Sequence, residues 1–206
     1  MQDLIPCANL VTMRKATIER KTDETEIRLA LELDGGGGVD ISTGIGFFDH
    51  MLTLLAYHAG FDLKLEARGD LEVDQHHTVE DIGICLGRAL GEALGDKIGV
   101  QRYGWAILPM DEALSMVALD LSGRPFLLYQ VEMPISLISD FDPTCVKEFL
   151  QALTNEGGIT LHVKTLSGEN PHHILESAFK GLGRALRAAV ECHPTSQEVP
   201  STKGSL

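Results

Sequence analysis

The chain has 206 residues, 44% of them hydrophobic and 23% charged, with a formal net charge of −13 at pH 7. Its basic pairs are confined to Arg14-Lys15 and Arg20-Lys21, which argues against nucleic acid as the main partner but leaves room for a small anionic substrate. No apolar run approaches the roughly 20 residues of a membrane span, no secretory leader is evident, and Cys7, Cys85, Cys145 and Cys192 form no Cys-x-x-Cys pair, so the expectation is a cytoplasmic protein with reduced thiols and no membrane partner.

In chain order, residues 25–33 alternate polar and apolar, as a half-buried strand does. Asp34 and the glycines to Gly38 read as a turn. Phe48, Met51, Leu52 and Leu55 have helical spacing within 47–57, and residues 61–67 alternate as a strand. Val79, Ile82, Leu86, Leu90 and Leu94 give a helix over 78–94. The second half repeats the order: strands near 113–121 and 126–133, a helix near 144–153, a strand over 159–164 and a helix over 172–190. This predicts an α+β fold of two similar halves, each a small β-sheet covered by two helices. The tail from His193 to Leu206 is polar, with Pro194, Pro200 and Gly204, and alone reads as disordered.

The halves are an internal duplication. At an offset of 96, His76, His77 and Glu80 fall on His172, His173 and Glu176, and Gly87-Arg88-Ala89-Leu90 falls on Gly183-Arg184-Ala185-Leu186. Upstream, at an offset of 98, Leu52 meets Leu150, Leu55 meets Leu153, Gly60 meets Gly158, and His50 lies opposite Glu148. The predicted organisation is an extension over 1–13, repeat halves over 14–105 and 106–192, and a tail over 193–206.

The repeated His-His-x-x-Glu set points to metal. Adjacent helical residues point about 100° apart, so two neighbouring imidazoles do not easily grip one ion. One ion on each side of the His-His step is the natural solution, with one repeat supplying a His and the other a His and the Glu. That makes His50, His76, His77, Glu80, Glu148, His172, His173 and Glu176 the candidate ligands. Imidazole and carboxylate without thiolate suits Mn²⁺, Fe²⁺ or Zn²⁺. His58, His162 and His193 read as ordinary structural or surface residues. Arg102, Arg124, Lys180 and Lys203 are candidates for holding an anion, three of them in Gly- and Ser-containing loops. Glu24 and Asp111-Glu112 add carboxylates able to move protons.

Several runs resemble the imidazoleglycerol-phosphate dehydratase family. They are Gly44-Ile45-Gly46-Phe47-Phe48-Asp49-His50-Met51-Leu52, Asp74-Gln75-His76-His77-Thr78-Val79-Glu80-Asp81, Met110-Asp111-Glu112-Ala113 with Asp120-Leu121-Ser122-Gly123-Arg124-Pro125, Thr160-Leu161-His162 leading into the run from His172 to Lys180, and Pro200-Ser201-Thr202-Lys203-Gly204. The resemblance covers about Arg14 to Leu206. It implies a ribosomal protein S5 domain 2-like fold and a hydro-lyase of histidine biosynthesis. That enzyme dehydrates D-erythro-imidazole glycerol phosphate to imidazole acetol phosphate, through a metal-bound imidazolate and a diazafulvene-like intermediate. It also implies two Mn²⁺ per active site and a homo-oligomer of 24 subunits with interfacial sites. By position, Glu24 looks like a substrate-contacting residue, and Arg102, Arg124, Lys180, Ser201 and Lys203 like the phosphate-binding set, so the tail contributes to that site. Glu24, Asp111 and Glu176 are the candidates for proton transfer. At position 148 many family members carry His where this chain has Glu. Two other readings of the residues are a dinuclear metallohydrolase and a non-catalytic metal-storage protein.

Overall fold

The computed structural model describes residues 14–134, 136–193 and 198–204. The predicted extension over 1–13 therefore lies outside the described residues. The first half contains β1 (Lys15–Lys21), β2 (Thr25–Glu32), β3 (Val39–Ser42), α1 (Gly46–Ala59), β4 (Asp62–Gly69) and α2 (His76–Leu94). The second contains β5 (Tyr103–Met110), β6 (Ala113–Asp120), β7 (Phe126–Gln130), α3 (Cys145–Gly157), β8 (Thr160–Ser167) and α4 (Pro171–Val190). The predicted elements are present, and β1, β3 and β5 are additional. β5 already belongs to the second sheet, so the change of sheet comes at Tyr103, just ahead of the division at 106.

The sheets have the same topology, β1-β2-β4-β3 and β5-β6-β8-β7. In each, one pair is parallel, β3 with β4 and β7 with β8, and the rest are antiparallel. A parallel neighbour needs a crossover, which α1 and α3 supply. The period-2 pattern gives each sheet one buried face. Ile27, Leu29 and Leu31 point into the core while Arg28 points out.

The four helices lie between the sheets. α2 rides on β1 and β2, and α4 on β5 and β6. Across the middle, α1 packs on α4 and α3 on α2, so each half's helices bury their second face against the other half. One apolar cluster results, with Phe48, Phe141, Phe149 and Phe179 among its fully buried side chains. Each such aromatic contributes roughly 1.5–3 kcal/mol by burial.

The crossings reproduce the repeat. Gly87 and Gly183 are equivalent in sequence, and each sits where a Cβ would strike a backbone carbonyl of the opposing helix, that of Leu153 and of Leu55 respectively. Those leucines are themselves equivalent. Gly60 and Gly158, paired at the other offset, both close their helices in the left-handed conformation, at φ 74° and 61°. The tail does not behave as its composition suggests. Over 198–204 it is docked, because the Glu198 carbonyl accepts from the Gly99 N–H at 3.0 Å and the Pro200 carbonyl from Arg102 at 2.8 Å.

Candidate metal centre and its surroundings

Local capping fixes the histidines at helix starts. The Asp49 carboxylate accepts from the Thr43 amide at 3.0 Å, which holds the entry to α1 and so His50. The Asn170 side chain accepts from the His172 amide at 2.9 Å, with Pro171 in the first turn, so α4 opens on its His pair. Asp74 does the same for the His76 amide at 2.7 Å.

Because α1 crosses α4, imidazoles of both halves meet one carboxylate. His50 Nε2 lies 3.2 Å and His172 Nε2 3.0 Å from Glu176 Oε2. Lys180 Nζ, one turn on, lies 2.6 Å from Glu176 Oε1. Burial pushes the Glu176 carboxyl up, but the hydrogen bonds from Lys180, His50 and His172 outweigh it and hold the group down at about 2. It therefore stays anionic. His50, His172 and Glu176 are the one group of three or more ligand-type residues gathered within 4.8 Å among the described residues. Two imidazole nitrogens and one carboxylate oxygen fit a borderline divalent cation, so the donor set suits a metal. Phe47 meets the edge of the His172 ring, with centroids 5.2 Å apart, and limits how that ring turns.

The second His of each pair points elsewhere. The rings of His76 and His77 stand at 87° and those of His172 and His173 at 79°. His77 Nδ1 is 3.0 Å from Asp70 and 3.8 Å from Glu24. His173 Nδ1 is 2.8 Å from Glu112, and its Nε2 is 3.8 Å from Asp111. Hydrogen bonding to Asp70 raises the pKa of His77, and hydrogen bonding to Glu112 raises that of His173. Glu112 is in turn held at about 2, first by His173 and then by the Asn170 N–H. A carboxylate on Nδ1 turns the other ring nitrogen outward, as in metal-ligating histidines.

The remaining predicted ligands are less gathered. His76 Nε2 is 3.6 Å from Glu80. Glu148, half-buried in the first turn of α3, is not within the gathered group.

The predicted anion-holding residues fall in two places. Arg102 makes a two-point contact with Asp120, at 2.7 and 3.1 Å, and reaches the tail through Pro200. Arg124 lies 3.9 Å from the same aspartate with its side chain 71% exposed, and Ser201 Oγ accepts from the Lys203 amide at 3.2 Å. Lys180 stands apart, on Glu176. The Arg102 amide donates to the Ala189 carbonyl at 2.9 Å, and from Glu176 to Ala189 along α4 is about 20 Å at 1.5 Å per residue. Within one chain, the Arg102 group and the gathered imidazoles therefore sit at opposite ends of a helix.

Sequence reasoning missed Asp70 as a partner of His77 and Asp120 as the hub of the arginines. The duplication does not signal the first, since Asp70 follows β4 while the support of the equivalent His173 is Glu112, between β5 and β6. Nothing in the spacing signals the second. His58, His162 and His193 lie outside the group, as expected; His193, for example, bonds Gln101.

The comparisons with known proteins agree with the fold. The family model for imidazoleglycerol-phosphate dehydratase matches residues 43–186. A protein of that description from Azorhizobium caulinodans is 60% identical over 195 residues, 94% of this chain and 99% of the relative. The chain belongs to the imidazoleglycerol-phosphate dehydratase family. A family member from Moorella thermoacetica is 57% identical over 94% of the chain and 98% of its own length. Among solved imidazoleglycerol-phosphate dehydratases, that of Pyrococcus furiosus, in complex with (S)-C348, matches with a TM-score of 0.80 at 43% identity, covering 92% of this chain and all of the other. That of Staphylococcus aureus gives 0.79 at 36% identity, covering 87% and 99%.

Proposed function

We propose that the chain dehydrates D-erythro-imidazole glycerol phosphate to imidazole acetol phosphate, a step of L-histidine biosynthesis. Family membership over nearly the whole chain supports the reaction. The observation that carries its chemistry is the meeting of His50 and His172, from different halves, on Glu176. The proposed cofactor is Mn²⁺, two ions per active site. His50, His172 and Glu176 would hold one, and His76, Glu80 and Glu148 the other, with His77 and His173 presenting their outward nitrogens. When bound, the metal supplies Lewis acidity that eases loss of a ring proton.

The chain's own groups do the rest. Glu176, kept anionic by Lys180, acts as a fixed negative charge beside the imidazoles. Glu24 and Asp111 sit on the β1–β2 and β5–β6 turns, exposed and 3.8 Å from His77 and His173. From there they can pass protons to or from a substrate held at those histidines. Arg102, Arg124, Ser201 and Lys203, joined by Lys180, form the phosphate set, which fixes the substrate's orientation. In this division the halves span 14–105 and 106–192, and the tail from 193 serves the phosphate.

The separation of about 20 Å along α4 exceeds what a single imidazole with a three-carbon phosphate arm can bridge. Complete sites therefore draw on more than one copy, in a homo-oligomer that we propose has 24 subunits. Exposed Trp105, Ile107 and Phe126 on the outer face of the second sheet supply apolar area for such association. No helix of the described residues is long and apolar enough to cross a membrane, and the proposed setting is the cytoplasm.

The test is Mn²⁺-loaded protein with imidazole glycerol phosphate, following ketone formation. Metal-loaded protein without turnover would remove the proposal, and release of inorganic phosphate would point to a hydrolase instead. A fully active monomer would remove the interfacial site.

A further inference from the structure

We propose that the chain's two metal positions are chemically unequal, and that Glu148 sets the difference by making the His76/Glu80 position the harder, more anionic one. This rests on the metal-dependent reading above and adds to it. The two helix crossings are equivalent. Gly87 of α2 meets the Leu153 carbonyl of α3 as Gly183 of α4 meets the Leu55 carbonyl of α1. Glu148 lies five residues before Leu153, as His50 lies five before Leu55, and Glu80 lies seven before Gly87, as Glu176 lies seven before Gly183. The crossings therefore aim Glu148 at His76 and Glu80 as they aim His50 at His172 and Glu176.

The donors differ at two places. One triad is two imidazoles and a carboxylate, the other one imidazole and two carboxylates. In addition, the Glu176 charge is met by Lys180 at 2.6 Å, whereas the residue equivalent to Lys180 is Ile84, which carries no charge. One position is thus near neutral before a cation arrives and the other carries two formal negative charges. The two positions also differ in geometry. The neutral triad is gathered, with both imidazoles on Glu176. In the other, the His76 and Glu80 atoms stand 3.6 Å apart and Glu148 is not gathered with them. Oxygen-rich, anionic donors favour Mn²⁺ or Mg²⁺, while imidazole-rich donors favour Zn²⁺ more strongly.

The experiment loads the full-length protein with Mn²⁺ and challenges it with Zn²⁺, following released Mn²⁺ by its electron paramagnetic resonance signal. The expected result is release in two steps of equal amplitude, at Zn²⁺ concentrations about tenfold or more apart, a gap of about 1.4 kcal/mol or more. In Glu148→His the later step should merge with the earlier. In Glu148→Gln, a near-isosteric change that spares the fold, Mn²⁺ should bind the second position on the order of tenfold more weakly, the scale set by losing a supporting carboxylate. Release in one step from the unaltered chain, or two unchanged steps in Glu148→His, would overturn the inference while leaving the metal reading intact. Failure to bind Mn²⁺ at all would sink both.

Discussion

The two sheets of this molecule share strand order but not their outer faces. On the first sheet the outward side chains include Arg28, Glu26, Lys64, Glu66 and Arg68, and the Glu26–Lys21 and Lys64–Asp40 pairs run across it at 2.9 and 3.5 Å. On the second, Trp105 is 70% and Ile107 60% exposed, flanked by Tyr103, Phe126 and Leu166. Inside, the halves remain alike down to single glycines, because a helix crossing at carbonyl contact tolerates no side chain. Duplication is thus retained where packing dictates and erased where solvent or a partner decides. The metal positions proposed above would show the same contrast, one imidazole-rich and charge-balanced, the other not.

That comparison can be broken or sharpened by experiment. The largest expected effect is at the gathered triad. His172→Ala or Glu176→Ala should lower kcat by on the order of 10³-fold or more, since a metal site that loses a ligand loses several kcal/mol of transition-state stabilisation; steady-state assays at saturating Mn²⁺ check this. Next is the contrast between sheet faces. Trp105→Asp with Ile107→Asp should reduce the assembly to smaller species by light scattering and remove most activity, whereas Arg28→Glu on the first sheet should leave both within twofold. Equal effects from the two faces would remove the distinction between them.

A subtler test asks whether the crossings are as equivalent as they look. Gly87→Ala and Gly183→Ala should each cost about 1–3 kcal/mol by overpacking, seen as a lowered Tm in metal-free protein. The smallest effect concerns pH. Glu112, held at about 2 by His173 and the Asn170 N–H, contributes stability above the ordinary carboxylate value of 4.5 and loses it as pH falls toward 2. His173, raised by Glu112, contributes below its ordinary value of 6.5 and loses that contribution as pH climbs through the raised one. Both contributions are therefore fully present between 4.5 and 6.5. An NMR titration of metal-free protein should place His173 above 6.5, and Glu112→Gln should return it toward that value.

Much of this was legible in the residues. Long periodic helices such as α2 and α4 announce themselves, and the repeated His-His-x-x-Glu set marks where a cation can be held. β5 was not visible as a strand because apolar residues fall on its outward positions, Trp105 and Ile107 among them, so it lacks the polar alternation that betrays a half-buried strand. β3 was hidden by its length of four residues. The tail misled for another reason. Its docking comes from the Gly99 amide and the Arg102 guanidinium, about a hundred residues away, which local composition does not encode. The distance between Arg102 and Glu176 was equally invisible, since it depends on which end of α4 each side chain meets.

The crossing of α1 on α4 and of α3 on α2 carries a historical consequence. An ancestor with a single copy of the repeat would have left one flank of each helix bare, and only a twin chain related by a two-fold axis could have covered it. Two such copies joined head to tail would have the strand order and helix crossings seen in this chain. Within one chain the two copies can differ, and position 84 holds isoleucine where its counterpart, 180, holds the lysine that meets Glu176.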